Sequence, residues 1–262
     1  MNTNDIKAIL LALRPPILEY LQEDWLTEQQ IKKLELAADG LQLELEFGYP
    51  IADIRDELSA AIKTELSKQT KIAQINLELR SKIIAHALAS AIKPVTQVKN
   101  IIAVASGKGG VGKSTTTVNL AAALMRQGAR VGILDADIYG PNQPHMLGST
   151  VEKLEVPNGS SFQPKILHNI QSMSMGYLID ANTPIIWRGP MVSSALQQLV
   201  SQTAWQNLDY LLIDLPPGTG DIQLTLSQKV PVTAAVIVTT PQDISLLDAR
   251  KALEMFRKVK VP

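Results

Sequence analysis

The stretch IIAVASGKGGVGKS, residues 101–114, decides the fold of this chain of 262 residues. Its first five residues are apolar, and residues 107–114 match the pattern GxxxxGK[ST]. A segment with helical character follows at 115–127. In this order of strand, glycine-rich loop and helix, backbone N–H groups and the helix N-terminus can surround phosphate oxygens. The stretch therefore predicts a phosphate-binding loop at the end of a buried strand.

Three side chains of this loop have expected roles. Lys113 is expected to neutralise the β and γ phosphates of a bound triphosphate, and the Ser114 hydroxyl to ligate Mg²⁺. Lys108 lies too early in the loop for the first role; it either reaches a phosphate across a subunit interface or is a solvated lysine. A turn without a ligand is disfavoured, because it would leave the Lys113 cation at a helix N-terminus. The predicted nucleotide contacts are Gly107, Lys108, Gly109, Gly110, Val111, Gly112, Lys113, Ser114 and Thr115.

After residue 100, short apolar runs alternate with helical segments. This alternation is typical of an α/β protein with a doubly wound parallel sheet. Because ligands bind at the carboxyl ends of the strands in such a sheet, we expect the functional site at that edge. The predicted strands are 101–105, 130–134, 210–214 and 234–238, and the predicted helices are 113–127, 191–204 and 243–258.

Carboxylates stand where two of these strands end. Asp135 and Asp137 follow the second strand, and Asp214 closes the third. Mg²⁺ prefers oxygen ligands, and an attacking water needs an acceptor that orients it. The sequence therefore predicts that these carboxylates serve a metal ion and a water beside the phosphates. The Pro-Pro-Gly-Thr-Gly stretch at 216–220 would place backbone N–H groups near the γ phosphate.

Residues 1–80 are predicted to form a separate, small α+β domain. Of the 15 glycines, 13 lie between Gly107 and Gly220, so the composition changes near residue 100. Two alternating runs joined by Asp39-Gly40 predict a β-hairpin. A helix before the hairpin, and a helix and strand after it, give the order α-β-β-α-β. The alanine-rich residues 81–98 are predicted to be a helical linker to the second domain, 99–262.

The composition excludes several classes of protein. Hydrophobic residues make up 45% of the chain, and 25 basic residues balance 25 acidic ones, so neither disorder nor nucleic-acid binding is indicated. The sequence has no apolar stretch of membrane-spanning length and no signal-peptide pattern, so we expect a cytoplasmic protein that does not bind membranes. The chain contains no cysteine, which excludes an iron-sulfur cluster held by its own thiolates.

Together these motifs resemble the Mrp family of P-loop ATPases, the iron-sulfur cluster carriers related to MinD, ArsA and nitrogenase iron protein. The resemblance is specific over 99–261, whereas residues 1–80 are similar only in layout to the small assembly domain that precedes the ATPase in many members. The similar segments are GKGGVGKS at 107–114 (deviant Walker A loop with signature Lys108), ILDADIYGP at 133–141 (first switch), WRGPM at 187–191 (typical of the family) and DLPPGTGD at 214–221 (Walker B and second switch).

The resemblance implies an ATP-hydrolysing homodimer that holds an iron-sulfur cluster between its subunits and passes it to apoprotein clients. It implies that Lys108 contacts the nucleotide of the other subunit and that Asp137 orients the attacking water. It also implies that Asp135 and Asp214 support the Mg²⁺ that Ser114 ligates. The catalytic residues would then be Lys108, Lys113 and Asp137.

Family members continue beyond this sequence, by resemblance, with a segment near the adenine and a paired-cysteine motif for the cluster. We therefore expect a C-terminally shortened carrier that keeps the phosphate site and cannot ligate a cluster through cysteine. Two other classes stay open. One is a partitioning or scaffold ATPase of the MinD type; the other is a non-enzymatic interaction protein in which only residues 1–80 are active.

Overall fold

The computed structural model describes residues 2–18, 25–37, 40–87, 92–138, 140–149, 161–178, 189–218 and 220–262. The chain divides into two compact units, and the division falls after Ile84. The first unit consists of Met1–Ile84 together with Arg126–Gly128, and the second of Ala85–Met125 and Ala129–Pro262.

The first unit has the predicted order α-β-β-α-β. Helix α1 (Thr3–Ala12) precedes strands β1 (Ile31–Ala37) and β2 (Gly40–Phe47), and helix α2 (Arg55–Thr70) precedes strand β3 (Ile75–Ser81). β1 pairs antiparallel with β2, which confirms the hairpin, and β2 pairs parallel with β3. The aspartate of the predicted hairpin turn lies outside the described residues.

The core of the first unit lies between one face of its sheet and the helices. Every second residue of β2 is buried, as expected for a strand with one apolar face. In α2 the buried residues recur every four positions, which places them on one side of the helix. The buried hydrophobic residues of these two elements are Leu41, Leu43, Leu45, Phe47, Leu58, Ile62 and Leu66.

The second unit is a mainly parallel sheet flanked by helices, so the predicted α/β class is confirmed. In chain order its elements are β4 (Val98–Ala105), α3 (Lys113–Arg126), β5 (Val131–Asp135), α4 (Gln143–Met146), β6 (Lys165–Leu167), β7 (Ile170–Ser174), α5 (Gly189–Gln202), β8 (Leu208–Asp214), α6 (Asp221–Lys229), β9 (Ala234–Ile237) and α7 (Asp243–Lys258). Within the described ranges, the strand order is β6-β7-β5-β8-β4-β9, and β6 is the strand that pairs antiparallel. No described helix is both long and apolar enough to cross a bilayer.

The predicted strands and helices of this unit are found within a few residues of their expected bounds. The elements that the sequence pattern missed are α4, α6 and the β6–β7 hairpin. The hairpin turns through His168 and Asn169, whose φ angles are 51° and 63°. Such a turn favours Asn-Gly, so His-Asn gives little signal in the sequence. Met173 in β7 is fully buried.

The predicted helical linker at 81–98 is wrong for the part of it that the structure describes. Residues 82–87 and 92–95 contain no helix. The N–H groups of Lys82 and Ile84 instead donate to the carbonyl oxygens of Phe47 and Gly48, at 2.9 and 3.3 Å. These hydrogen bonds extend the pairing of β3 with β2, and they outweigh the helix propensity of the alanine-rich sequence.

An ion cluster around the buried Asp209 joins the amino ends of three strands in the second unit. Asp209, in the central strand β8, is 4% exposed. Its carboxylate accepts from Lys99 Nζ at 2.8 Å, and from Arg130 Nη2 and Nε at 2.9 and 3.0 Å. Burial alone would raise the pKa of Asp209, but the hydrogen bonds from Arg130 and Lys99 outweigh it and lower the pKa to about 2.

We expect Asp209→Asn to lower the free energy of unfolding of the second unit by about 2 kcal/mol at pH 7. The folded pKa of about 2 lies below the unfolded value of about 3.9. The contribution is therefore full above about pH 4 and is lost as the pH falls toward 2. Urea denaturation at pH 7 and pH 3 measures it.

Glu254→Gln is the control for the Asp209 variant. Its partner Arg257 is 2.7 Å away, but both side chains are about 60% exposed, so an effect below about 0.5 kcal/mol is expected. An Asp209→Asn protein with wild-type stability at pH 7 would contradict a stabilising role for the cluster.

Candidate nucleotide-binding site

The glycine-rich loop joins β4 to α3, as predicted, and its glycines determine its path. Gly110 and Gly112 have φ angles of +77° and +90°, a backbone region that favours glycine. A Cβ atom on Gly107 would lie 2.4 Å from the carbonyl carbon of Asp248 in α7. A side chain at position 107 therefore cannot be accommodated without moving backbone. Residues 108–110 are exposed to solvent.

Lys113 and Asp214 form a buried ion pair at the carboxyl end of the sheet. Lys113 is the first residue of α3 and Asp214 the last of β8; they are 7% and 0% exposed. Lys113 Nζ lies 2.5 Å from Asp214 Oδ1 and 3.5 Å from the Ser114 hydroxyl oxygen. Thr117, one turn further along α3, donates to the same oxygen of Asp214 at 3.2 Å. The fold thus brings together the predicted phosphate lysine and one predicted metal-supporting aspartate.

Asp135 stands beside Asp214 because β5 and β8 pair in parallel with these two residues in register. One Asp135 oxygen accepts the Asp137 N–H at 3.1 Å, and the other accepts the Gln143 N–H at 3.0 Å. Burial is the main cause that raises the pKa of Asp135, the nearby charge of Asp214 also raises it, and these N–H donors lower it; the net pKa is about 7. A divalent cation at this place would favour the ionised carboxylate.

Gln143 connects the two aspartates to the phosphate loop. It is the first residue of α4 and is fully buried. Its side-chain Nε2 donates to Asp214 Oδ2 at 2.9 Å and to the Ser114 carbonyl oxygen at 3.0 Å. Its Oε1 is buried and accepts no hydrogen bond from the described residues. Gln143 therefore contacts the ends of β5 and β8 and the start of α3.

The remaining predicted site residues lie toward solvent. Lys108 and Thr115 are exposed, and Asp137 and Val111 are half-buried. Among the described residues, Lys108 makes no ion pair with the network around Asp214. Its position on an exposed loop is compatible with both the interface role and the solvated role. The interface role of Lys108 therefore stays a prediction.

Sequence reasoning missed Gln143 and Thr117. Thr117 had a usable signal, since a residue four positions after Lys113 lies on the same helix face. Gln143 had no such sequence signal. No spacing rule relates a glutamine eight residues beyond the end of a strand to a carboxylate of that strand. Parts of the quoted motifs, Tyr139, Thr219 and residues 187–188, lie outside the described residues.

The oxygen chemistry of the site fits Mg²⁺ bound together with nucleotide phosphates. Within the described ranges, no three His, Cys, Asp or Glu residues group as a metal site by themselves. Mg²⁺ is usually held by one or two carboxylates, waters and substrate phosphates, and not by a full cage of protein ligands. Ser114, Asp135 and Asp214 supply one hydroxyl and two carboxylates at one sheet edge, which suits that mode.

The parallel sheet, the glycine loop before α3 and the aspartates after β5 and β8 define a P-loop NTPase. Residues 97–262 match the ParA family, whose description is "NUBPL iron-transfer P-loop NTPase". The chain belongs to this family, and the resemblance drawn from the motifs is confirmed.

Relatives support the same family over most of the chain. The iron-sulfur cluster carrier protein of Haemophilus influenzae is 48% identical over 259 residues, 99% of this chain and 69% of that protein. The protein of the same name from Pseudomonas fragi is 57% identical over 202 residues, 77% of this chain and 70% of that protein. A solved nucleotide-binding protein from Archaeoglobus fulgidus, in complex with ADP, is 40% identical with a TM-score of 0.54, and the match covers 63% of this chain and 64% of that one. The chain thus spans about two thirds of the length of these relatives.

Proposed function

We propose that this chain binds and hydrolyses ATP with Mg²⁺ and supplies the nucleotide-driven part of an iron-sulfur cluster carrier. The observation that carries the proposal is the contact between Lys113, on the phosphate loop, and Asp214, beside Asp135. The relatives named as cluster carriers and the ADP complex of the Archaeoglobus protein support it. The proposal includes a cytoplasmic location, where ATP is available.

In this proposal the loop and Lys113 hold the phosphates. The N–H groups of the loop and the start of α3 point toward the anion, and the Lys113 ammonium neutralises the β and γ phosphates. Mg²⁺, when bound, would be held by Ser114 with support from Asp135 and Asp214, and it would neutralise charge that develops on the phosphates. Burial of Asp214 and Asp135 keeps these groups in fixed positions.

Asp137 is the residue that we propose orients the attacking water. Its N–H group donates to Asp135 at 3.1 Å, which fixes the backbone at this position, and its side chain is half-buried. Lys108, exposed on the loop, would complete the site of a second subunit in a homodimer. Such a dimer would make hydrolysis depend on association, and cluster transfer to apoprotein clients would follow the nucleotide cycle.

The iron-sulfur cluster is the cargo of the proposed function. This chain has no cysteine, so its own residues cannot provide a thiolate ligand set. We propose that the thiolates come from residues that are not part of this sequence, and that these 262 residues perform the nucleotide chemistry. The family assignment favours the carrier over a MinD-type scaffold.

A test with two arms separates the nucleotide function from cluster binding. In the first arm, we expect ATP hydrolysis that depends on Mg²⁺, measured by phosphate release. In the second arm, anaerobic reconstitution with iron and sulfide followed by desalting should leave no stoichiometric iron on the chain. Absence of ATP turnover and of ATP binding would favour the non-enzymatic interaction protein. Iron and sulfide retained in stoichiometric amounts would contradict the assignment of the cluster ligands.

A further inference from the structure

We infer that Gln143 is a positioning residue of the nucleotide site, which holds Asp135 and Asp214 where Mg²⁺ binding requires them. This inference rests on the proposed function. It concerns a residue outside the phosphate loop and outside the aspartates, on the short helix α4. Three contacts, to Asp135, Asp214 and the Ser114 carbonyl oxygen, carry it.

The orientation of the Gln143 amide is fixed by its partners. Asp214 Oδ2 and the Ser114 carbonyl oxygen are both acceptors, so the group that faces them must be the NH₂ group. The opposite orientation would place Oε1 against two other oxygens. The NH₂ group therefore uses both of its hydrogens in the site, one for a carboxylate and one for the phosphate-loop backbone.

Each oxygen of Asp214 has its own donors. Lys113 and Thr117 donate to Oδ1, whereas Gln143 is the described side chain that donates to Oδ2. The Gln143 backbone N–H donates to Asp135 at the same time. Two neighbouring carboxylates repel each other, and a single residue that donates to both offsets this repulsion and fixes their separation.

The buried Oε1 of Gln143 argues against a purely structural role. A buried acceptor without a hydrogen bond costs free energy, and an apolar side chain of the same length would avoid this cost. The Gln143 amide donates to the Asp214 carboxylate and to the phosphate-loop backbone, which an apolar side chain could not do. The same contacts link the segment that carries Asp137 to the phosphate loop, so a shift of one would be transmitted to the other.

The test is Mg²⁺-dependent ADP binding by Gln143→Met, measured by calorimetry at a series of Mg²⁺ concentrations. Methionine keeps the length of the side chain. It removes both amide N–H donors, to Asp214 and to the Ser114 carbonyl oxygen, and keeps the backbone N–H that donates to Asp135. We expect the Mg²⁺ concentration for half-maximal ADP binding to rise about tenfold, because a hydrogen bond to a charged group is lost. ADP binding without Mg²⁺ should change less than about threefold, since the loop N–H groups and Lys113 remain.

Two further variants make the test specific. Gln143→Asn keeps the amide but withdraws it by about 1.5 Å, one carbon–carbon bond, and should give an intermediate shift. Gln171→Met is the matched control, because Gln171 lies in β7 and its amide contacts backbone away from the phosphate loop. Its Nε2 donates to the Gln206 carbonyl oxygen at 2.7 Å, and its Oε1 accepts the Gln206 N–H at 2.8 Å. It should leave the Mg²⁺ dependence unchanged.

The outcomes distinguish this inference from the proposed function. If the wild-type chain binds ADP with no dependence on Mg²⁺, the proposed metal site fails. If the wild type depends on Mg²⁺ and folded Gln143→Met and Gln143→Asn proteins show the same dependence, Gln143 only fills space and the inference is overturned. Should Gln143→Met not fold, the Asn variant decides by the same measurement.

Discussion

Lys113→Ala is expected to remove most of the stabilisation of the chain by ATP and Mg²⁺. A ligand at 100 times its Kd stabilises a protein by about 2.7 kcal/mol, and a hundredfold loss of affinity reduces this to about 0.4 kcal/mol. For a unit of this size the melting temperature shift would fall from roughly 5–10 °C to about 1 °C. Thermal denaturation with and without ATP and Mg²⁺ measures the difference.

The comparison uses the ligand-induced shift within each variant. Lys113 neutralises the buried Asp214, so its removal is also expected to lower the melting temperature of the ligand-free protein. Lys258→Ala, which removes an exposed lysine from the last turn of α7, is the control and should keep the full shift. An equal ATP shift in the Lys113 variant and the wild type would exclude the loop as the phosphate site.

Asp137→Ala is expected to keep ATP binding and to lose ATP turnover by about 10²- to 10⁴-fold, the range for removing a group that handles a proton in the transition state. Lys108→Ala should also lose turnover if the lysine completes the site of the other subunit. Steady-state phosphate release, with ATP binding measured in parallel, separates the two effects. Loss of ATP binding together with turnover in the Asp137 variant would contradict its role toward water.

Mixing the two inactive variants tests whether Lys108 acts between subunits. A mixed dimer would contain one site with both residues intact and one site that lacks both. Random exchange would therefore restore about a quarter of the wild-type activity, because half of the dimers are mixed and each has one working site. No recovery in verified mixed dimers would place Lys108 in its own subunit's site or outside catalysis.

The sequence alone was enough to predict the strand, loop and helix at 101–126 and the aspartates at the ends of β5 and β8. These features are local: glycines at positions of restricted backbone conformation, a lysine at a helix start, and carboxylates next to apolar runs. The small α-β-β-α-β unit was predictable for the same reason. The alternation of apolar residues in β2 and their four-residue spacing in α2 are patterns among residues close in sequence.

Tertiary structure alone decided the contacts that turn these motifs into one site. The register of β5 with β8 sets Asp135 beside Asp214, and only then do Lys113 and Gln143, 101 and 71 residues from Asp214 along the chain, meet the same carboxylate. Tertiary hydrogen bonds also hold Lys82 and Ile84 against the end of β2, within the stretch 81–98 that was predicted to be a helical linker. Propensity and motif spacing report on neighbours in sequence, whereas a buried hydrogen-bond network depends on which distant elements the packed sheet brings together.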